Sequence, residues 1–474
     1  MTKLRDDDLL RALRTHPRAG SAALCRLLGG INRSTLARAL RVLAGQVVSR
    51  GGSRRTRYSL RRSLRGSEAG LPLYRVDESG QGHEVGRLDL TWPSGSALGF
   101  AAPFPWPLDG DMADGWFEGL PYPVGDMRPQ GFIGRNFARR HALDLGVADN
   151  PEQWSEDDIL HVLSLWGHDQ PGDLILGETA YRRFLDGRRE RAGDFLADSQ
   201  IGTAFPELAD AALAHGVPAS SAGGEFPKFT VGRHWDDGVG HAIVKFSGAD
   251  DSPAVRRWSD LLVCEHLALE ALRDLLGLAV AQSAIHCFGG RSFLEVRRFD
   301  RHGAFGRSPV CTLGSINAAL LGQRVTTWPM AAQALQASGW LAAEDVERVT
   351  LLWWFGRLIG NADMHEGNLA FRPRAGSGLV LAPAYDMLPM HYAPLRGGEV
   401  PQRTFAPEWP LPAEAGRWHR AADAAARYWH RCAEDERIGA EFRRICADNA
   451  AALAQALEAT AAAASRRGGV SFPP

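Results

Sequence analysis

Asp363-Met364-His365-Glu366-Gly367-Asn368 sets a carboxylate and a carboxamide five positions apart, in a short polar loop between apolar segments. Phosphoryl transfer to a hydroxyl uses that pair: the Asp takes up the hydroxyl proton, and the Asn carbonyl holds a magnesium ion. Asp386 follows the apolar run Leu379-Val380-Leu381-Ala382, where a second metal carboxylate would stand. Taken alone the interval is weak evidence, because polar loops between buried elements often hold an Asp and an Asn.

The cations sharpen it. Of 54 Lys and Arg residues only Lys3, Lys228 and Lys245 are lysines. A compact ammonium and a planar guanidinium are not interchangeable beside phosphate oxygens, so the two lysines seventeen residues apart are candidate phosphate ligands. Ser220-Ser221-Ala222-Gly223-Gly224 leads into Lys228 and a strand, and Ala242-Ile243-Val244-Lys245 ends the next strand. In protein kinases a small-residue loop covers the ATP phosphates, and a Lys on a following Val-Ala-Ile-Lys strand pairs with them. A mostly apolar helix from Ser259 to Leu272 offers Glu265 or Glu270 as partner for Lys245, with Glu265 preferred. The hairpin Ser283–Phe288 and Phe293–Asp300 then leads into a hinge that would hold adenine by backbone groups.

Other elements must position these residues. Helical patterns at 329–338, 343–359, 413–434 and 435–465 predict a helical lobe around the Asp363 loop, after a β-rich lobe carrying Lys245. Periodicity also predicts helices at 156–168 and 178–197, and strands near Leu73–Val76 and Val85–Leu90. Residues 100–150 are rich in Pro, Gly and Trp and suggest no mechanism.

The amino-terminal 66 residues stand apart. They carry sixteen Lys or Arg against Asp6, Asp7 and Asp8, about +13, and leave about −14 for the remainder of a chain whose net charge is −1. A small basic head on an acidic body suggests a polyanion partner for the head. Three short helices, the third capped by Asn32 or Ser34, precede two β-prone runs across a Gly51-Gly52 tip. This is a winged helix-turn-helix pattern. It would place Arg33, Ser34, Thr35, Arg38 and Arg41 on a recognition helix, and Arg50, Arg54, Arg55 and Arg57 on a wing for DNA phosphates or the minor groove. A basic dimerisation module is the competing reading. Residues 61–70 read as a polar linker.

No apolar stretch approaches the roughly 20 residues a membrane span needs, and no signal-type leader opens the chain. Six dispersed cysteines without zinc spacing suggest buried thiols in a reducing cytoplasm. The expected division is a DNA-binding head at 1–66, a β-rich subdomain at 67–150, a nucleotide-binding lobe at 151–300 and a helical catalytic lobe at 301–474.

Over roughly residues 71–460 the chain resembles the HipA-like serine/threonine kinase toxins of bacterial toxin–antitoxin systems. The residues that carry the resemblance are Ser221 to Lys228, Lys245, the Val-x-Arg-Phe-Asp-Arg segment from Val296 through Arg297 and Phe299 to Arg301, Gly360-x-x-Asp363-x-His365-x-x-Asn368, and Tyr385-Asp386. With its basic head the chain is similar to the YjjJ-like subgroup. The resemblance implies an α+β, bilobal kinase-like fold and an ATP- and Mg2+-dependent protein kinase. Asp363 would be its base, Lys245 its phosphate-binding lysine, and Asn368 and Asp386 its metal ligands, with His365 near the phosphates. It further implies autophosphorylation at Ser221, or at Ser220, that shuts the enzyme off. The partners it implies are a protein substrate such as an aminoacyl-tRNA synthetase, DNA, and an antitoxin. The chain departs from the family pattern at Phe226, where Gln is common, and at Arg297, where Glu is common. A small-molecule phosphotransferase, or a DNA-binding regulator whose kinase-like body senses nucleotide, are the rival readings.

Overall fold

The computed structural model describes residues 5–190, 194–214, 226–324, 327–374, 376 and 378–468. In the head, helices α1 (Asp6–Thr15), α2 (Ser21–Leu27) and α3 (Arg33–Val42) pack with strands β1 (Ala19–Gly20), β2 (Val47–Arg50) and β3 (Arg57–Leu60), which form a sheet in the order β1-β3-β2. Asn32 caps α3, its side chain accepting from Thr35 N at 2.8 Å. Leu9, Leu13, Leu24 and Leu36 form the small core.

A second sheet, ordered β7-β6-β5-β4-β8, comprises β4 (Leu71–Val76), β5 (Gly82–Leu90), β6 (Ser96–Phe100), β7 (Trp116–Phe117) and β8 (Leu174–Leu176). The short α4 (Tyr122–Gly125), α5 (Gly131–Leu145), α6 (Glu156–Trp166) and α7 (Glu178–Glu190) accompany it. Because β8 pairs with β4, this unit continues well past the boundary expected at residue 150. Of the helix expected over 178–197, α7 is described over Glu178–Glu190, and a further helix, α8 (Asp198–Leu213), follows that the periodicity did not suggest.

The third sheet holds the lysines. Strands β9 (Lys228–Trp235), β10 (Gly238–Phe246), β11 (Ser283–Phe288) and β12 (Arg291–Arg297) are ordered β11-β12-β10-β9, with α9 (Pro253–Leu276) crossing between β10 and β11. Ser252 caps α9 ahead of Pro253, and Gly277 ends it in the left-handed conformation at φ +66°, which costs glycine nothing sterically. Short strands β13 (Arg301–His302), β14 (Gly306–Arg307) and β15 (Cys311–Thr312) lead through α10 (Leu313–Ile316) into α11 (Trp328–Ala337) and α12 (Ala343–Leu358). Then come β16 (Ala370–Pro373), β17 (Leu379–Leu381), α13 (Ala415–Glu434) and α14 (Ala440–Gly468). The largest core runs through α9, α11, α12, α13 and α14 and fully buries Phe355, Trp418, Tyr428 and Trp429. Among the described residues no helix is long and apolar enough to cross a membrane.

Two expectations change here. Cys287 is exposed and Cys25 half-buried, so only four of the six thiols are buried. Residues 61–70 are not a free linker, because Arg61, Arg62 and Arg65 pair with Asp89, Asp157 and Asp158, the last two at 2.6 Å. The β2–β3 hairpin joins the same ladder through Arg50–Asp89 at 2.5 Å, Arg57–Asp111 at 2.7 Å and Arg55–Asp114 at 3.2 Å. Val48 of the wing packs with Ala97 and Trp116 of the second sheet. Charge counting missed this docking because each partner lies tens of residues away in sequence.

Asp89 is buried and accepts from both Arg50 and Arg61. Asp89→Ala leaves two mostly buried guanidiniums without their counter-ion, and removing one member of such a group costs about 3 kcal/mol. Lower stability in urea and new proteolysis within 61–70 are the expected results.

Candidate active site

The register of β9 on β10 sets Lys228 directly opposite Lys245. Like charges facing one another across a strand pair repel, so two of the chain's three lysines occupy positions that packing alone disfavours. Lys245 is only 6% exposed. Its ammonium donates to both oxygens of Glu265, at 2.8 and 2.7 Å, and to Asp386 Oδ1 at 2.5 Å. Glu265 comes from α9 and is 1% exposed, whereas Glu270 on the same helix faces Arg273 and His266 near the surface. The preference for Glu265 is therefore met in the geometry.

The three charges adjust one another. Burial works against the Lys245 ammonium, but Asp386 and then Glu265 outweigh it and hold its pKa above the ordinary value. Burial raises Glu265, with Lys245 pulling the other way. Asp386 is lowered, its desolvation overcome first by Lys245 and then by Lys228. A buried cation between two carboxylates stays charged over the whole physiological pH range.

These groups line a cavity of about 340 Å³ together with Lys228, Val296, Arg297 and Phe299. Phe226 is buried edge-on against Trp258, with its ring centroid 5.9 Å from Lys245 Nζ. Arg297 lies over Trp235 at 4.0 Å and pairs with Asp237 at 2.7 Å. The hinge backbone is engaged within the protein: Arg297 N donates to Gln282 O, Arg298 N to His241 O, and Phe299 O accepts from Arg372.

Asp363, His365 and Asn368 do not line that cavity; Gly367, between them, does. Asp363 is more than half exposed, and its carboxylate lies 3.9 Å from His365 Nε2. Asn368 is buried and donates to Asp363 O at 2.9 Å. The loop emerges from the end of α12, where Gly360 adopts φ +71°. Trp328 Nε1 donates to His365 O at 3.2 Å, and Asn317 to Glu366 at 2.9 Å. Ser220, Ser221, Gly223 and Gly224 lie outside the described residues.

Asn361, the backbone conformation of Asp386 and one wall of the cavity were not visible in the sequence. Asn361, 2% exposed, accepts from Asp363 N at 3.0 Å and reaches Asp386 O at 3.5 Å, so one buried carboxamide ties the Asp363 loop to Asp386. Asp386 holds φ +57°, a left-handed conformation that Asp tolerates better than most residues. From the 100–150 stretch, Asp126, Gln130, Phe132 and Ile133 form one wall of the cavity, and Asp126 also accepts from Thr312 N at 3.0 Å and Ser315 Oγ at 2.8 Å.

The donors suit a magnesium ion carried by phosphates. Magnesium takes one or two protein oxygens and completes its octahedron with phosphate oxygens and water, and Asn368 and Asp386 supply that number. Among the described residues no three His, Cys, Asp or Glu side chains cluster as a self-contained metal centre.

In the head, Arg33, Ser34, Arg38 and Arg41 are exposed on α3 and Thr35 is half-buried, so these candidates share an accessible helix. Of the wing candidates only Arg54 makes no ion pair among the described residues. Arg50, Arg55 and Arg57, expected to face phosphate, each pair with an acid, Asp89, Asp114 and Asp111, while Arg55 stays 73% exposed. The β2–β3 hairpin lies against Asp89 of β5 and the turn Gly110–Asp114, which is the physical reason.

Residues 67–185 match the family described as YjjJ-like toxin, middle domain, and residues 220–464 match the HipA-like C-terminal domain. Toxin YjjJ of Escherichia coli (strain K12) is 36% identical over 401 residues, covering 84% of this chain and 87% of that protein. Among solved structures, HipA from the HipA, HipB and operator DNA complex of Shewanella oneidensis MR-1 overlays with a TM-score of 0.48 at 15% identity, over 81% of this chain and 95% of that one. The Helicobacter pylori proinflammatory kinase CtkA gives 0.37 at 12% identity, over 51% of this chain and 93% of its own.

Glu265→Ala removes the buried partner of Lys245 and should lower unfolding stability by about 3 kcal/mol. Glu270→Ala, nearer the surface, should change it by less than about 0.5 kcal/mol. Urea denaturation of the two variants checks the difference; equal losses would contradict the assignment of Glu265.

Proposed function

The chain belongs to the YjjJ-like toxins of the HipA-like family, and from that membership we propose that it is an ATP- and Mg2+-dependent protein kinase acting on a serine or threonine hydroxyl. The observation that supports this most directly is the buried Lys245–Glu265 pair with Asp386 on the same ammonium, at the wall of a nucleotide-sized cavity. Such a lysine is pre-aligned for phosphate oxygens, because its carboxylate partners hold it charged and in place before any ligand arrives.

Each residue then has a defined task. Lys245 and Lys228 face the nucleotide phosphates, Glu265 fixes the direction of Lys245, and Asn368 and Asp386 hold magnesium. Bound ATP with its magnesium supplies the transferable phosphoryl group and the neutralisation of its charge. Asp363 accepts the proton of the attacking hydroxyl, and its exposure suits a substrate as large as a protein. His365 stands beside it. Asn361 keeps the proton acceptor and the metal carboxylate in a fixed relation. A loop serine, Ser221 or Ser220, is the proposed site of self-modification, which would set nearly two negative charges where ATP phosphates otherwise lie.

The basic head is proposed to bind DNA through the exposed face of α3, with an antitoxin as a further partner. The protein substrate belongs to the class the family resemblance implies, an aminoacyl-tRNA synthetase.

Asp363→Ala should reduce phosphate transfer from radiolabelled ATP by about a thousandfold, as expected for a general base, while leaving thermal unfolding unchanged. Phosphoproteomics after expression of wild type and Asp363→Ala identifies the target; equal labelling by both proteins would overturn the kinase reading.

A further inference from the structure

A second cavity, of about 580 Å³, is larger than the first and has no part in the proposed phosphoryl transfer. It lies between α7 and the turn after α6 on one side, and β9, β10 and the β13–β14 hairpin on the other. Arg298 and Asp300 line the first cavity and Arg301 lines the second. Arg301 Nη1 donates to Asp300 Oδ2 at 2.7 Å, and Arg298 Nη2 to the same oxygen at 2.9 Å. One ion-paired network therefore separates the two spaces.

The inner wall of the second cavity is cationic and unsatisfied. Arg307 is 5% exposed, its guanidinium 4.9 Å from the Phe184 ring centroid. Its Nη2 donates to His168 O, but among the described residues its Nη1 has no hydrogen-bond partner. Arg183 lies over Trp166 at 3.8 Å, and its Nε likewise has no partner among the described residues. Asp169 favours the Arg307 charge from nearby, but its ion pairs are with Arg301 at 3.1 Å and Arg298 at 3.7 Å. Burial, and then the neighbouring Arg301, draw the Arg307 guanidinium down to about 9. A guanidinium is a rigid fork of five donors suited to carboxylate and phosphate, and a buried donor without a partner in the protein calls for an acceptor from outside it, water or ligand.

Among the described residues, the exposed charged side chains of the lining are acidic, among them Asp186, which faces Arg189 at 3.7 Å, Glu190 and Asp194. They repel a polyanion such as a nucleotide or nucleic acid, and admit a small anion or one whose outer end is cationic.

We propose that this cavity is a second ligand site, in which Arg307 and Arg183 bind a small oxyanion, a carboxylate or a phosphate. An anion there offsets the repulsion between Arg307 and Arg301, and Arg301 shares Asp300 with the wall of the first cavity. Occupancy of one site thus changes affinity at the other, by the same factor in both directions. That coupling rests on the nucleotide reading of the first cavity; the binding itself does not.

Calorimetric titration of the full chain with inorganic phosphate, acetate and glycine tests the binding whether or not the protein transfers phosphate. One equivalent of at least one anion should bind, and the tightest of the three identifies phosphate, carboxylate or zwitterion as the class. Arg307→Gln and Arg183→Gln should each weaken it by about tenfold or more, with partial recovery in Arg307→Lys. Should Arg307→Gln fail to fold by circular dichroism, the half-buried Arg183 decides alone. No binding of any of the three anions, or unchanged affinity in Arg183→Gln, overturns the proposal.

Discussion

Burying one ammonium organises much of this molecule. Lys245 sits on β10 opposite another lysine, and that arrangement is stable only if carboxylates arrive from elsewhere in the chain. Glu265 arrives on α9 and Asp386 from just beyond β17, so a single cation joins the lysine-bearing sheet, the crossing helix and the segment after the Asp363 loop. Desolvating three charges is costly, and a hydrophobic replacement of similar volume would often be as stable or more so. The retention of the set is better understood through the chemistry it permits than through stability.

Asn361 extends that constraint to the Asp363 loop. Its side chain is fully engaged between Asp363 N and Asp386 O, so the loop cannot drift from the carboxylate without breaking a buried hydrogen bond. Asp386 itself is held in a left-handed backbone conformation, a strain of the kind that collects at functional positions. The wall formed by Asp126 to Ile133 shows that the second sheet unit helps shape the cavity and does more than carry the head.

Much of the site was legible in the sequence because its parts are local patterns. The scarcity of lysine pointed to Lys228 and Lys245, an apolar helix period favoured Glu265, and a polar loop after a long apolar segment pointed to Asp363 and Asn368. Apart from α8, the main strands and helices around the site followed from the same periodicities. What escaped notice depends on pairing across long separations. Arg50, Arg55 and Arg57 looked like DNA ligands until Asp89, Asp114 and Asp111 were seen beside them, and the linker at 61–70 is fixed by acids up to about ninety-five positions away. Asn361 was overlooked for a different reason: its importance lies in which two groups it bridges, and an Asn in a loop carries no mark of that. The unit around β4 to β8 was cut short because β8, three apolar residues, announces nothing about its partner strand.

The near absence of lysine has a practical side. Two of the three lysines in the sequence line the cavity wall, so an amine-directed reagent has few other side-chain targets. Lys245 is buried and held as the ammonium by two carboxylates, and an ammonium does not react with such a reagent. Labelling at Lys245 would therefore report the loss of those two ion pairs.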